Sequence, residues 1–133
     1  MVFNAFGVRA LRLATNSLEF GTTEIDFFAE LRRDFALETT LSGRTYLKLL
    51  TRLKADGYRI HLFFLWLQNA EIAIGRVADR VRKGGHDVPE HDVRRRFNRG
   101  LWNLFHLYRP VLDIWTLFEN TGPSPVTVVT EVA

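Results

Sequence analysis

Apolar positions in the middle of the chain switch between two rhythms. Tyr46, Leu47, Leu49, Leu50 and Leu53 recur at helical spacing, and Gly57 stands where a helix stop belongs. Tyr58 to Leu67 is then almost unbroken in apolar and aromatic residues, the pattern of a strand covered on both faces in a parallel sheet. Ahead of the helix, Phe35 to Glu38 is a short apolar run that ends in Thr39 and Thr40. The order predicts a strand, a helix over Arg44 to Asp56 and a second strand, hence an α/β arrangement.

Asn69 suits the cap of a further helix, whose buried stripe is Ala70, Ala73, Ile74, Val77 and Val81 with Arg76, Arg80 and Arg82 on or near its edges. Lys83-Gly84-Gly85-His86 breaks that helix. Pro89 suits the first turn of the next one, Glu90 and Asp92 favour the positive end of its dipole, and Val93, Phe97, Leu101, Leu104, Phe105 and Tyr108 form its apolar face. Pro110 ends or kinks it. Trp115 to Glu119 reads as a strand, Asn120 to Pro123 as a turn, and Val126 to Val132 as a last strand. Nearer the start, Ala5 to Leu18 and Glu24 to Arg33 read as helical.

A chain of 133 residues with 47% hydrophobic content builds one core and one domain. The absence of cysteine excludes disulfide frameworks, thiolate zinc sites and cysteine nucleophiles. The longest apolar run, Ile60 to Leu67, is too short to span a bilayer, and no charged leader precedes an apolar run. A soluble, cytoplasmic protein is expected, with no membrane contact.

The net charge of +3 is unevenly distributed. Residues 76–99 carry eight basic side chains against Asp79, Asp87, Glu90 and Asp92, and such a local excess marks a contact surface. Guanidinium forks grip phosphate oxygens in pairs, and Arg95 and Arg99 lie one turn apart. A solvated charged helix face explains the same arginines. The same forks suit a nucleic-acid backbone, a less favoured partner because no exposed aromatic platform is evident beside them.

Glu38, Thr39 and Thr40 fall where the first strand runs out, the end at which open parallel sheets bind ligands. A carboxylate and two hydroxyls there suit a sugar or nucleoside hydroxyl; alternatively Thr40 or Ser42 caps the next helix and Glu38 is solvated. His86 either reaches a ligand phosphate or bonds a backbone carbonyl, and His61 reads as a sheet histidine rather than a base. No histidines and carboxylates show metal-ligand spacing, so no protein-held metal is expected.

Three segments taken together, F-A-L-E-T-T-L-S-G-R-T-Y-L-K-L-L, G-Y-R-I-H-L-F-F-L-W-L and R-V-R-K-G-G-H-D-V-P-E-H-D-V-R-R-R-F-N-R-G-L-W-N-L-F, resemble the zeta-toxin-like group of P-loop kinases. The resemblance runs from about Asp34 to Gly122. It implies a P-loop nucleotide-kinase-like three-layer sandwich with a mainly parallel sheet and a helical, arginine-rich lid at residues 80–100. It also implies ATP and magnesium as cofactors, and a UDP-amino-sugar as phosphate acceptor. Glu38 and Thr40 match the substrate-holding E-x-T-L segment, and Arg80, Arg82, Arg95 and Arg99 fall in the lid that steadies phosphates.

Two parts of that pattern are missing. No G-x-x-x-x-G-K-S/T loop, whose amides cradle the phosphates, occurs in these 133 residues. At Val2-Phe3-Asn4-Ala5, Phe6 stands where the family has its aspartate base, so no catalytic residue is assigned. The expectation is a single, truncated domain over residues 1–133, with a loosely defined helical stretch at 1–33 and the family-like region at 34–122. Such a chain keeps the acceptor segment and the lid, binds ATP weakly at best and does not transfer phosphate alone.

The strand that would carry the phosphate loop belongs between the two strands flanking the first helix. Without it, Phe35–Glu38 is expected to pair directly with Ile60–Leu65 through a right-handed crossover. The alternatives are an interaction module that joins a full-length kinase or a second copy through an open sheet edge, and an anion or nucleic-acid binder.

Overall fold

The computed structural model describes Arg12–Leu13 and residues 20–133. In order these form β1 (Arg12–Leu13), α1 (Phe20–Glu30), β2 (Ala36–Leu37), α2 (Thr45–Ala55), β3 (His61–Trp66), α3 (Ala70–Arg82), α4 (Glu90–Asn103), β4 (Ile114–Glu119) and β5 (Val126–Val132). Beyond Asn103 the helical path continues through a π turn at Leu104–Tyr108 and a 3-10 turn at Arg109–Val111 that contains Pro110. The protein is a mixed α/β fold. No helix among the described residues is long and apolar enough to cross a membrane.

The sheet is mixed. β3 pairs with β4 in parallel and β4 with β5 antiparallel, while β1 and β2 form a separate parallel pair. The expected direct pairing of Phe35–Glu38 with Ile60–Leu65 is therefore wrong: β2 is two residues long, and its partner is Arg12–Leu13. The helix expected over Ala5 to Leu18 is also wrong at Arg12 and Leu13, where a long-range ladder overrides local pattern. The rest of that stretch, and the Val2–Phe6 segment, lie outside the described residues.

One face of β3 is well covered and the other is not. Leu62 and Phe64 are buried with Leu41, Leu104, Tyr108, Leu112 and Trp115 in the main core, whereas His61 is exposed. A strand closed on both faces was expected; instead His61 stacks on Phe63 with ring centroids 4.0 Å apart. Its Nε2 lies 3.4 Å from Thr116 Oγ1, so it is a sheet histidine. A second cluster around Ile25 and Leu53 joins α1 to α2.

Helix ends follow local chemistry. Asn69 caps α3 by accepting from the Ile72 amide at 3.0 Å. At the end of α2, Gly57 is left-handed at φ 90°, and the Gly57 and Tyr58 amides return to the Lys54 and Leu53 carbonyls. α3 closes in the same way: the Gly84 amide (φ 83°) bonds Val81 and the Gly85 amide bonds Arg80. A Cβ on Gly85 would lie 2.5 Å from Arg80 Cγ and 2.9 Å from the Arg80 carbonyl oxygen, so the glycine pair is dictated by this closure.

Candidate functional site

The chain leaves β2 through Glu38, Thr39 and Thr40 and turns sharply at Leu41, which is left-handed at φ 55° yet buried. That conformation is unfavourable for a branched side chain and persists only where its surroundings enforce it. Thr39 Oγ1 accepts the Leu41 amide at 3.1 Å, and the Thr40 and Ser42 hydroxyls share a 2.9 Å hydrogen bond. Neither hydroxyl caps α2, whose N-cap residue is Arg44 without a side-chain bond. The loop is thus held by its own hydroxyls.

α4 is seated on that loop. Asn103 Nδ2 donates to the Leu41 carbonyl at 2.7 Å, and a Cβ on Gly100 would lie 3.2 Å from the Thr40 carbonyl oxygen. A side chain there would be tighter than ordinary contact and would press on the loop. Tyr108 donates its hydroxyl to the Gly43 carbonyl at 2.8 Å, and burial pushes its pKa up to about 12, with nearby Tyr46 adding to the shift. Arg96 is half-buried one turn before Gly100, on the side of α4 that meets the loop.

Residues 80–100, where the resemblance implies a lid, span the end of α3, the turn after it and most of α4, which pack as a hairpin. Arg94 locks its base, reaching Glu71 at 2.6 Å and Glu90 at 2.8 Å, and this contact lowers the Glu71 pKa while raising that of Arg94. Arg76 donates to the Asn120 carbonyl and so ties α3 to the turn before β5. Arg76, Asp79, Arg80, Lys83 and Gly85 line an open depression of about 400 Å³.

Of the residues singled out from sequence, Glu38 and Thr40 lie on the loop after β2, and the Thr40 carbonyl faces Gly100 of α4. Arg80 donates to the His86 carbonyl at 2.9 Å, Arg82 pairs with Asp79, and Arg95 pairs with Asp92. Arg99 immediately precedes Gly100 and has no hydrogen bond or ion pair among the described residues. The sequence reading missed Arg96, Gly100 and Asn103. Their spacing was the available signal, since positions four and three apart share one helix face.

The family model described as "Zeta toxin" matches residues 15–108. A Haemophilus influenzae protein carried as "Uncharacterized protein" is 33% identical over 63 residues, which is 47% of this chain and 45% of that protein. The chain thus aligns with less than half the length of that relative. No solved structure matches. The matched stretch takes in the E-T-T-L loop, the arginine-rich residues 80–100 and the helix that seats on the loop, and the chain belongs to the zeta toxin family.

Proposed function

We propose that this chain supplies the acceptor-binding wall and the lid of a zeta-toxin-type phosphotransferase, and that by itself it binds an anionic sugar nucleotide without transferring phosphate. The observation that carries this reading is the seat of α4 on the Glu38–Ser42 loop, through Asn103 to Leu41 and Gly100 against Thr40. It sets the Thr40 carbonyl against Gly100, the residue after Arg99, on the helix that also carries Arg95. Glu38 and Thr40 hydrogen-bond acceptor hydroxyls. Arg80, Arg82, Arg95 and Arg99 steady the phosphates. The pairs Arg82–Asp79 and Arg95–Asp92 are exposed, and such pairs contribute only about 0–1 kcal/mol, so a phosphate replaces them at little cost.

ATP and magnesium, which the family uses, do not fit the residues present. No G-x-x-x-x-G-K-S/T sequence occurs in these 133 residues, and the one glycine pair, Gly84-Gly85, is consumed in closing α3. No step of phosphoryl transfer is therefore derived for this chain. The two separate parallel pairs, β1–β2 and β3–β4, support a nucleotide-kinase-like sheet in which a further strand lies between them. The same feature favours the second reading, an interaction module: among the described residues β3 is paired on one side only.

Calorimetric titration with a UDP-amino-sugar tests the first reading. Binding that is lost in Arg99→Ala and weakened in Thr40→Val supports it, and turnover of Mg·ATP by the purified chain overturns it. Light scattering tests the second, for which a concentration-independent monomer is the adverse result.

A further inference from the structure

We propose that the exposed face of α4 and of the π turn after it binds single-stranded nucleic acid, with a base stacked on Trp102 and backbone phosphates on Arg99 and Arg95. Trp102 is 51% exposed although it is among the largest apolar side chains of the protein. It does not lie loose on the surface. The His106 ring stacks on it at 4.4 Å between centroids and 8° between planes, and His106 Nδ1 donates to the Trp102 carbonyl at 2.8 Å. His106 lies within the π turn, a helix irregularity that recurs at functional sites. One face of the indole is thereby backed and the other is left to a ligand.

Residues 95, 99, 102 and 106 fall on one stripe, because they are spaced four, three and four apart. Arg99 has no ion-pair partner among the described residues, and Arg95 has only the exposed pair with Asp92. Each arginine is about one turn, 5.4 Å, from the next group along the stripe, so a strand can lay its phosphates along the helix while a base turns onto the indole. Charge complementarity selects a polyanion, and the open aromatic face selects one with unstacked bases: a duplex keeps its bases stacked, whereas single strands offer a π-face at every nucleotide. An acidic peptide would satisfy the arginines but leave the ring without a role.

The test is fluorescence anisotropy of a labelled oligo-dT, roughly 12 nucleotides long, with the full chain at two salt concentrations. Binding should fall log-linearly with salt, and Arg99→Ala should reduce the slope by about 0.7. Trp102→Ala should weaken binding by about tenfold and Trp102→Phe by less, because phenylalanine keeps an aromatic face. Circular dichroism of both variants should match the parent, since the ring is half-exposed. Arg95 and Arg99 serve both readings and Trp102 serves only this one, so the Trp102 variants, which should leave sugar-nucleotide binding unchanged, separate failure here from failure of the acceptor-binding reading. Absence of binding at low salt, equal affinity for a duplex of the same length, or an unchanged affinity in Trp102→Ala with Trp102→Phe alike would each overturn the proposal.

Discussion

The side-chain amide of Asn103 donates a 2.7 Å hydrogen bond to the main-chain carbonyl of Leu41, 62 residues earlier, and both residues are buried. This contact joins the last turn of α4 to a loop held in a left-handed conformation. Asn103→Ala leaves the Leu41 carbonyl without its donor, which costs about 1–3 kcal/mol. Urea denaturation should show a lower midpoint. Asn103→Asp should be at least as damaging, because a carboxylate presents oxygen to oxygen.

Two helix glycines should respond oppositely to alanine. Gly75, in α3, is exposed, and nothing comes within 4 Å of the place an alanine methyl would take, so Gly75→Ala should stabilise by about 0.5–1 kcal/mol. Gly100→Ala sets a methyl group 3.2 Å from the Thr40 carbonyl oxygen and 3.4 Å from the Phe64 ring. The push falls on the strained loop. Its melting temperature should not rise, and affinity for a sugar nucleotide should drop.

Gly85→Ala should open the turn that closes α3 without unfolding the protein. The new Cβ would overlap the Arg80 carbonyl oxygen at 2.9 Å, which is main chain and cannot swing aside. The Gly85 to Arg80 bond of 2.8 Å is then lost, along with the Arg80 contact to His86. Hydrogen exchange should quicken at residues 82–86 while the core amides of β3 and β4 stay protected.

Asp113 predicts an acid-sensitive joint between β3 and β4. Its carboxylate accepts the Ile60 amide at 2.7 Å and pairs with Lys54 at 3.2 Å. The Ile60 bond first, then Lys54, holds its pKa below the usual carboxylate range. A lowered folded pKa means stability that is fully present above the unfolded value of about 3.9 and is lost as pH falls through the folded value. Asp113→Asn can still accept from Ile60 but loses the charge. Its deficit relative to the parent should be largest near neutrality and should shrink in acid, as read by urea midpoints across pH.

Affinity for Mg·ATP should be no tighter than about millimolar, since the phosphate-cradling loop is absent from these 133 residues. A micromolar constant by calorimetry would refute this. Sugar-nucleotide binding carried by exposed arginines should weaken steeply with salt.

Much of this protein is written in its local sequence. The apolar period of Tyr46 to Leu53, the cap at Asn69, the stops at Gly57 and Gly84 and the aromatic run of β3 are short-range signals, and the helices and strands formed where these predict. The E-T-T-L and arginine-rich segments likewise pointed to the family that the match over residues 15–108 shows. Tertiary structure decided the rest. Residues 36–37 pair with 12–13 rather than with β3, because ladder partners are chosen by what lies alongside in space and a two-residue strand carries almost no pattern of its own. Leu41 is left-handed because the core takes its side chain while Asn103 takes its carbonyl. Trp102 differs again: helical phase puts it with Arg95 and Arg99, but only packing determines that the opposite face of α4 is buried and that this large ring, backed by His106, is left at the surface.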